Sequence, residues 1–255
     1  MRARTWMMAV ALLGAMTVWG LCGTQAAEQQ PVLLLDRQSV WRAYYTLRPP
    51  VIEVGETLQP VLTDRPWLNW ETPEPPKGWT RPEFDDTGWL RGPARMPCWT
   101  PYLARLCLRG RFRVTDPDAV STLRVSVDYQ GGCALYVNGV EVGRGHLPDG
   151  PLTDDTLAED YPREAFVTDD GRLLPSDWTI ERHKRQLALR RRGLRDVAVP
   201  PGLLRRGVNV LAVEVIRAPY HAVVEELKGI GVREKDLAER GTPYDLPWNT
   251  CELLD

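Results

Sequence analysis

The sequence predicts an all-β protein, an antiparallel β-sandwich. Three observations carry this. Apolar and polar residues alternate over Leu106–Val114 and again over Leu123–Tyr129, the period-2 pattern of strands with one buried face. An Asn138-Gly139 pair stands between the apolar runs 133–137 and 140–142, which signals a two-residue hairpin turn because both turn residues need positive φ. The chain also carries 22 prolines and 21 glycines with few long helical repeats, as loop-rich β proteins do.

The elements follow in chain order. Val32–Leu35 is a short apolar run. Val40–Leu47, rich in Trp and Tyr, is a strand that Pro49-Pro50 ends. Residues 63–104 are loop-like, with prolines interleaved among Trp67, Trp70, Trp79, Trp89 and Trp99. In the next strand Leu106, Leu108, Phe112 and Val114 face inward, leaving Arg109, Arg111 and Arg113 as a basic outer face. Residues 145–186 lack alternation and read as an inserted excursion. It is acidic first (Asp149, Asp154, Asp155, Glu159, Asp160, Glu164, Asp169, Asp170) and basic as it runs on through Arg182 to Arg195. Dense charge without alternation predicts the most mobile part of the domain apart from its termini, cut first by proteases. Leu194–Val199 is a strand, Pro200–Gly207 a helical turn with a glycine cap, and Val208–Ile216 a strand nearly apolar on both faces and therefore central. Ala222–Leu227 is a helix that can run on to Arg240. The expected core is Leu108, Phe112, Val125, Val127, Leu135, Val137, Leu211, Val213 and Val215.

A length of 255 residues fits one large domain or two small ones. With 43% hydrophobic and 26% charged residues, the chain is neither disordered, nor a coiled coil, nor a multi-span membrane protein. The formal charge of -2 excludes a general nucleic-acid binder. Arg2 and Arg4, the apolar run Trp6–Leu21 and the small residues before Ala27 make residues 1–27 a signal peptide, with an uncleaved anchor as the alternative. The expected location is secreted or periplasmic, with no membrane association after signal cleavage. Such a compartment permits disulfides among Cys98, Cys107, Cys133 and Cys251, in any of three pairings. No CxxC or zinc spacing exists, and the three histidines are scattered, so no transition-metal site is expected.

Three segments resemble a known family when taken together. Phe84-Asp85-Asp86-Thr87-Gly88-Trp89, preceded by Gly78-Trp79, resembles the FDDSxW opening segment of the sugar-binding domains of family 2 glycoside hydrolases. Leu135–Arg144 resembles their VYVNGKEVGR hairpin, and Leu203–Val215 their LLKxGxNVLAVxV strand. The resemblance covers roughly residues 78–217 and implies a galactose-binding-like jelly roll. It divides the chain into a signal peptide (1–27), an N-terminal strand with a Pro/Trp-rich lead-in (28–77) and the jelly-roll domain (78–255). That domain carries the charged insertion at about 145–186 and an end that can be incomplete. The insertion is a departure from the family. In the family the region after Trp248–Cys251 leads into a last strand and often a catalytic barrel, so a downstream catalytic domain is an expected partner.

Candidate binding residues lie in the loops. Sugars pack their C–H faces on flat aromatic rings while polar neighbours bind hydroxyls. Trp99, Tyr102 and Trp178 are therefore candidate platforms, with Arg144 and His146 as hydrogen-bonding neighbours; the competing reading makes the rings plugs at the sandwich ends. Asp85 and Asp86 are adjacent on an extended chain and point apart, which does not suit a pair of glycosidase carboxylates. The resemblance implies a structural role for them, with an Asp capping backbone amides. No catalytic residue is expected, and no GxSxG exists. No cofactor is expected beyond a structural Ca²⁺ in the acidic excursion, set against simple pairing of that segment with the basic one that follows. The basic stretch itself is either a solvated face or a surface for an anionic glycan. The resulting expectation is an exported, non-catalytic carbohydrate-binding module. Its rivals are a structural or protein-interaction sandwich and a fragment of an active glycosidase.

Overall fold

The computed structural model describes residues 31–55, 57–61, 71–95, 100–174, 183–227 and 248–255. The expected signal peptide, the continuation of the helix to Arg240, Cys98, Trp99 and Trp178 lie outside the described residues. Among the described residues no helix is long and apolar enough to cross a membrane.

Residues Leu34–Asp255 form one unit. Its strands are β1 (Trp41–Leu47), β2 (Val51–Val54), β3 (Thr57–Pro60), β4 (Leu90–Gly92), β5 (Leu103–Val114), β6 (Arg124–Gln130), β7 (Gly132–Val137), β8 (Val140–Gly145), β9 (Arg192–Ala198), β10 (Gly207–Ile216) and β11 (Glu252–Leu253). Two short helices, α1 (Lys184–Leu189) and α2 (Val223–Glu226), accompany them. A six-stranded sheet runs β4-β1-β5-β10-β7-β8, a three-stranded sheet β11-β6-β9, and β2-β3 form a separate hairpin. The ladders are antiparallel, as the alternation required. β1, from the expected lead-in, is an internal strand of the larger sheet, paired with β5 from Trp41 to Leu47.

The main core lies between the two sheets. Leu106, Leu108, Phe112, Leu135, Val137, Leu211, Val213 and Val215 meet Val127, Tyr129 and Leu253 there. Of the expected core, only Val125 is half-buried rather than buried. β10 is central, between β5 and β7, and its outward residues Val210, Ala212, Glu214 and Ile216 are as buried as its inward ones. That explains its nearly apolar sequence: over Asn209–Ile216 the strand is covered on both faces. Trp79 and Trp89 press on Cys107, Val210 and Ala212 from outside, with Tyr44 and Phe84 beside them.

Turn chemistry is as the sequence required. Asn138 has φ 51° and Gly139 φ 88°, and Val137 pairs with Val140 across them. The Asn138 side chain also joins the hairpin to β10, accepting the Val210 N–H at 2.9 Å and donating to Asn209 Oδ1 at 2.7 Å. Gly131, at φ 95°, allows the β6–β7 turn to approach β10; a Cβ there would stand 2.2 Å from the Ile216 carbonyl oxygen.

Two expectations are corrected. The excursion is not a loose loop over 145–174. Leu147, Ala158, Tyr161, Ala165, Phe166, Val167 and Leu173 are buried in a second core with Ile216, Tyr220, Val223, Val224 and Trp248. Phe166 stacks on Trp248 with centroids 4.3 Å apart, and the Arg190 guanidinium lies 3.8 Å over the same indole. These contacts come from loops, which bury side chains without periodicity. The outer face of β5 is also not uniformly basic. Arg109 is fully buried and Arg105 nearly so, while Arg111 and Arg113 are exposed. Cys107, Cys133 and Cys251 are buried thiols, and Cys251 Sγ donates to the Val215 carbonyl at 3.4 Å.

Candidate functional site

Of the five loop residues, Trp99 and Trp178 lie outside the described residues. Tyr102 is 2% exposed, so its ring plugs the start of β5 and offers no open platform. Arg144 is held by its own loop. It pairs with Glu141 through Nε–Oε1 and Nη2–Oε2, each 2.6 Å, and donates from Nη1 to the carbonyls of Pro148 at 2.6 Å and Gly150 at 2.9 Å. His146 adopts φ 57°, and its Nδ1 lies 2.9 Å from Tyr129 Oη. Burial first, then the neighbouring Arg192, pushes its pKa below the usual value. Register places the start of β5 and the end of β8 at the same end of the sheet, three strand spacings or roughly 14 Å apart. Tyr102 and the Arg144–His146 loop thus do not share one small subsite.

The outer face of the larger sheet holds a polar network that the sequence reading missed. Arg105 donates from Nη1 to Glu214 Oε1 at 2.7 Å and from Nη2 to the Thr153 carbonyl at 2.5 Å, while its Nε lies 3.3 Å from Glu74 Oε2. Tyr136 Oη donates to Glu214 Oε2 at 2.9 Å, and Arg48 Nη2 to Glu74 Oε1 at 3.0 Å. Burial raises the pKa of Glu214 and of Glu74 above the usual carboxylate value, against the pull of Arg105. The available signal was Glu214 itself, the one acidic residue within an apolar central strand. Perturbed carboxylates often mark active sites. Here, however, both are tied to one guanidinium, whereas glycoside hydrolysis needs two carboxylates flanking a space for substrate.

A second cluster joins the 78–89 segment to β1 and β5. Asp86, 1% exposed, accepts from Arg109 Nε at 2.7 Å and from Arg111 Nη2 at 2.8 Å, and Arg42 Nε lies 3.7 Å away. Arg109 further donates to the carbonyls of Trp79, Arg81 and Phe84. The amide-capping role belongs to Asp85, which accepts the Thr87 N–H at 3.0 Å. Both aspartates therefore serve structure, but Asp86 does so through arginines. Beyond the cluster, Arg91 stands opposite Arg42 and Arg42 opposite Arg109 across β4-β1-β5.

Among the described residues no group of three His, Cys, Asp or Glu is placed to hold a metal ion. The acidic excursion instead contributes pairs such as Asp169–Arg185 at 3.0 Å and Asp170–Arg172 at 3.2 Å.

No protein-family model and no curated protein matches the sequence. Solved structures similar to it are glycosidases. Bacteroides uniformis beta-glucuronidase 2, with a covalently bound cyclophellitol-6-carboxylate aziridine, is 12% identical with a TM-score of 0.36, over 70% of this chain and 14% of its own. A glycosyl hydrolase family 2 member from Bacteroides cellulosilyticus is 11% identical with a TM-score of 0.30, over 70% of this chain and 17% of its own. A beta-glycosidase from Bacteroides vulgatus is 11% identical with a TM-score of 0.30, over 70% and 16%. The chain thus spans a small part of the length of these enzymes.

Proposed function

We propose that the chain is an exported, non-catalytic carbohydrate-binding-type module, working beside a glycoside hydrolase domain in a secreted or periplasmic setting. The supporting observation is how the three segments that carry the family resemblance meet. The 78–89 segment covers the outer face of β5 and β10 and is fastened through Asp86 and Arg109. The β7–β8 hairpin is fastened to β10 through Asn138 and Asn209. The motifs thus account for one another as a framework, and the chemistry they contain is used in building it. A non-catalytic role is supported by the state of the buried carboxylates Asp86 and Glu214 and of the half-buried Glu74, each engaged by arginine.

Affinity electrophoresis of the purified protein through gels containing a panel of neutral and acidic polysaccharides tests the reading, alongside aryl-glycoside turnover. Retardation by at least one polysaccharide without turnover is expected. No retardation on any gel would instead favour the scaffold reading, which draws support from the structural use made of Tyr102, Arg144 and His146. Turnover by the chain alone would refute the non-catalytic role.

A further inference from the structure

We infer that the arginine-rich corner of the six-stranded sheet binds an acidic polysaccharide, a chain of uronate sugars; this rests on the carbohydrate-binding reading and assigns it a surface and a ligand class. The corner is built by register. Arg91, Arg42 and Arg109 stand opposite one another across β4, β1 and β5, and Arg111 and Arg113 continue the same face along β5. Like charges directly opposite on neighbouring strands are unfavourable, so such a row has a cost to folding. Asp86 offsets it for Arg42, Arg109 and Arg111. Among the described residues, Arg91 and Arg113 have no ion pair, and both are exposed. Asp85 adds one exposed carboxylate nearby, itself occupied by the Thr87 amide. Arg109 and Asp86 are both buried and cancel; the four other guanidiniums against Asp85 leave a surplus of three positive charges on one corner of a chain whose formal charge is -2.

The shape suits a linear polyanion. Arg91 and Arg113, two strand spacings across and four residues along β5 from one another, end a strip roughly 15–20 Å long, with Arg42 and Arg111 between them and Arg109 beneath the 78–89 segment. A uronate chain carries one carboxylate per ring, a repeat comparable with the strand spacing of about 4.8 Å, and guanidinium is the side chain best matched to a carboxylate. A single-stranded nucleic acid would need aromatic stacking platforms, and the local rings Trp79 and Trp89 are buried at 7% and 8% exposure.

The test is affinity electrophoresis of the full chain in polygalacturonate gels, with a neutral galactan gel and a duplex DNA competitor, for wild type and the double variant Arg91→Gln/Arg113→Gln. Neither side chain has an ion pair to lose among the described residues, so circular dichroism should show both proteins folded alike. Wild type should be retarded by polygalacturonate, about tenfold more tightly than the double variant, and released in ~0.5 M NaCl, where charges are screened within a few ångströms. Equal affinity of the two proteins would overturn the inference, as would tighter binding to the DNA. Retardation by galactan but not by polygalacturonate would overturn it while leaving the carbohydrate-binding reading intact. Retardation by neither gel would overturn the inference, and the full polysaccharide panel then decides the carbohydrate-binding reading.

Discussion

Replacing Asp86 by Asn removes one charge and almost no volume from the junction between the 78–89 segment and the sheet. Asp86 is 1% exposed and Arg109 fully buried, paired through Nε and Oδ2 at 2.7 Å. The substitution leaves Arg109 with neutral acceptors alone, the new amide oxygen and the backbone carbonyls, and leaves three guanidiniums, of Arg42, Arg109 and Arg111, without the carboxylate between them. Breaking a buried pair by removing one partner costs about 3–5 kcal/mol, because the remaining charge stays desolvated. At about 2–4 °C per kcal/mol for a domain of this size, Tm should fall by roughly 6–20 °C. Thermal unfolding followed by circular dichroism reads the loss, and tryptophan fluorescence should report it too, since Trp79 and Trp89 pack in the segment that Asp86 anchors. Asp85→Asn is the internal control. Its carboxylate is exposed and keeps an acceptor oxygen for Thr87 as the amide, so little change is expected. An Asp86→Asn loss below about 1 kcal/mol, or equal losses at the two positions, would refute the reasoning. It would mean that the arginines reach water and the pair is only a surface contact.

Other outcomes follow from the same geometry. Phe166→Ala should destabilise the protein by about 3–5 kcal/mol in urea unfolding, since it deletes a fully buried ring stacked on Trp248; in wild type, limited proteolysis should spare 145–174 as it spares the strands. His146 should make stability depend on pH. Its folded pKa lies below the usual 6.5, so the unfolded chain takes up the proton first, and stability present above pH 6.5 is lost as pH falls below it. Glu74 and Glu214, with raised pKa values, act in the opposite sense, losing stability as pH rises above 4.5. The difference between wild type and His146→Asn, which tolerates φ 57°, isolates the histidine: the variant should show a smaller loss between pH 7 and 5, and an unchanged profile would exclude His146 as the source.

The sheet was legible because its rules are local. Period-2 alternation set which residues of β5, β7 and β10 face the sister sheet. The Asn138-Gly139 pair set the β7–β8 register next to the turn, and the nearly apolar run of β10 set its central place. What alternation cannot state is what covers a face from outside. Arg109 has the sequence pattern of a solvent-facing residue, yet it is buried, because a loop that starts thirty residues earlier folds back over it with Asp86. The excursion has the composition of a mobile loop, yet over 145–174 it builds a second core. Phe166 and Tyr161 meet Trp248 across some eighty residues of chain, a contact with no period to read. The candidate site divides in the same way. The arginines at 109, 111 and 113 were visible as a basic face, but only strand pairing across β4-β1-β5 set Arg91 and Arg42 beside them, and only loop packing decided which of the five stay in water. The sequence alone determined the antiparallel sandwich, its hairpin and its inward faces, because each depends on neighbours a few residues apart. Tertiary structure alone decided which charges are interior and which are surface, because burial depends on segments that meet only after the chain has folded.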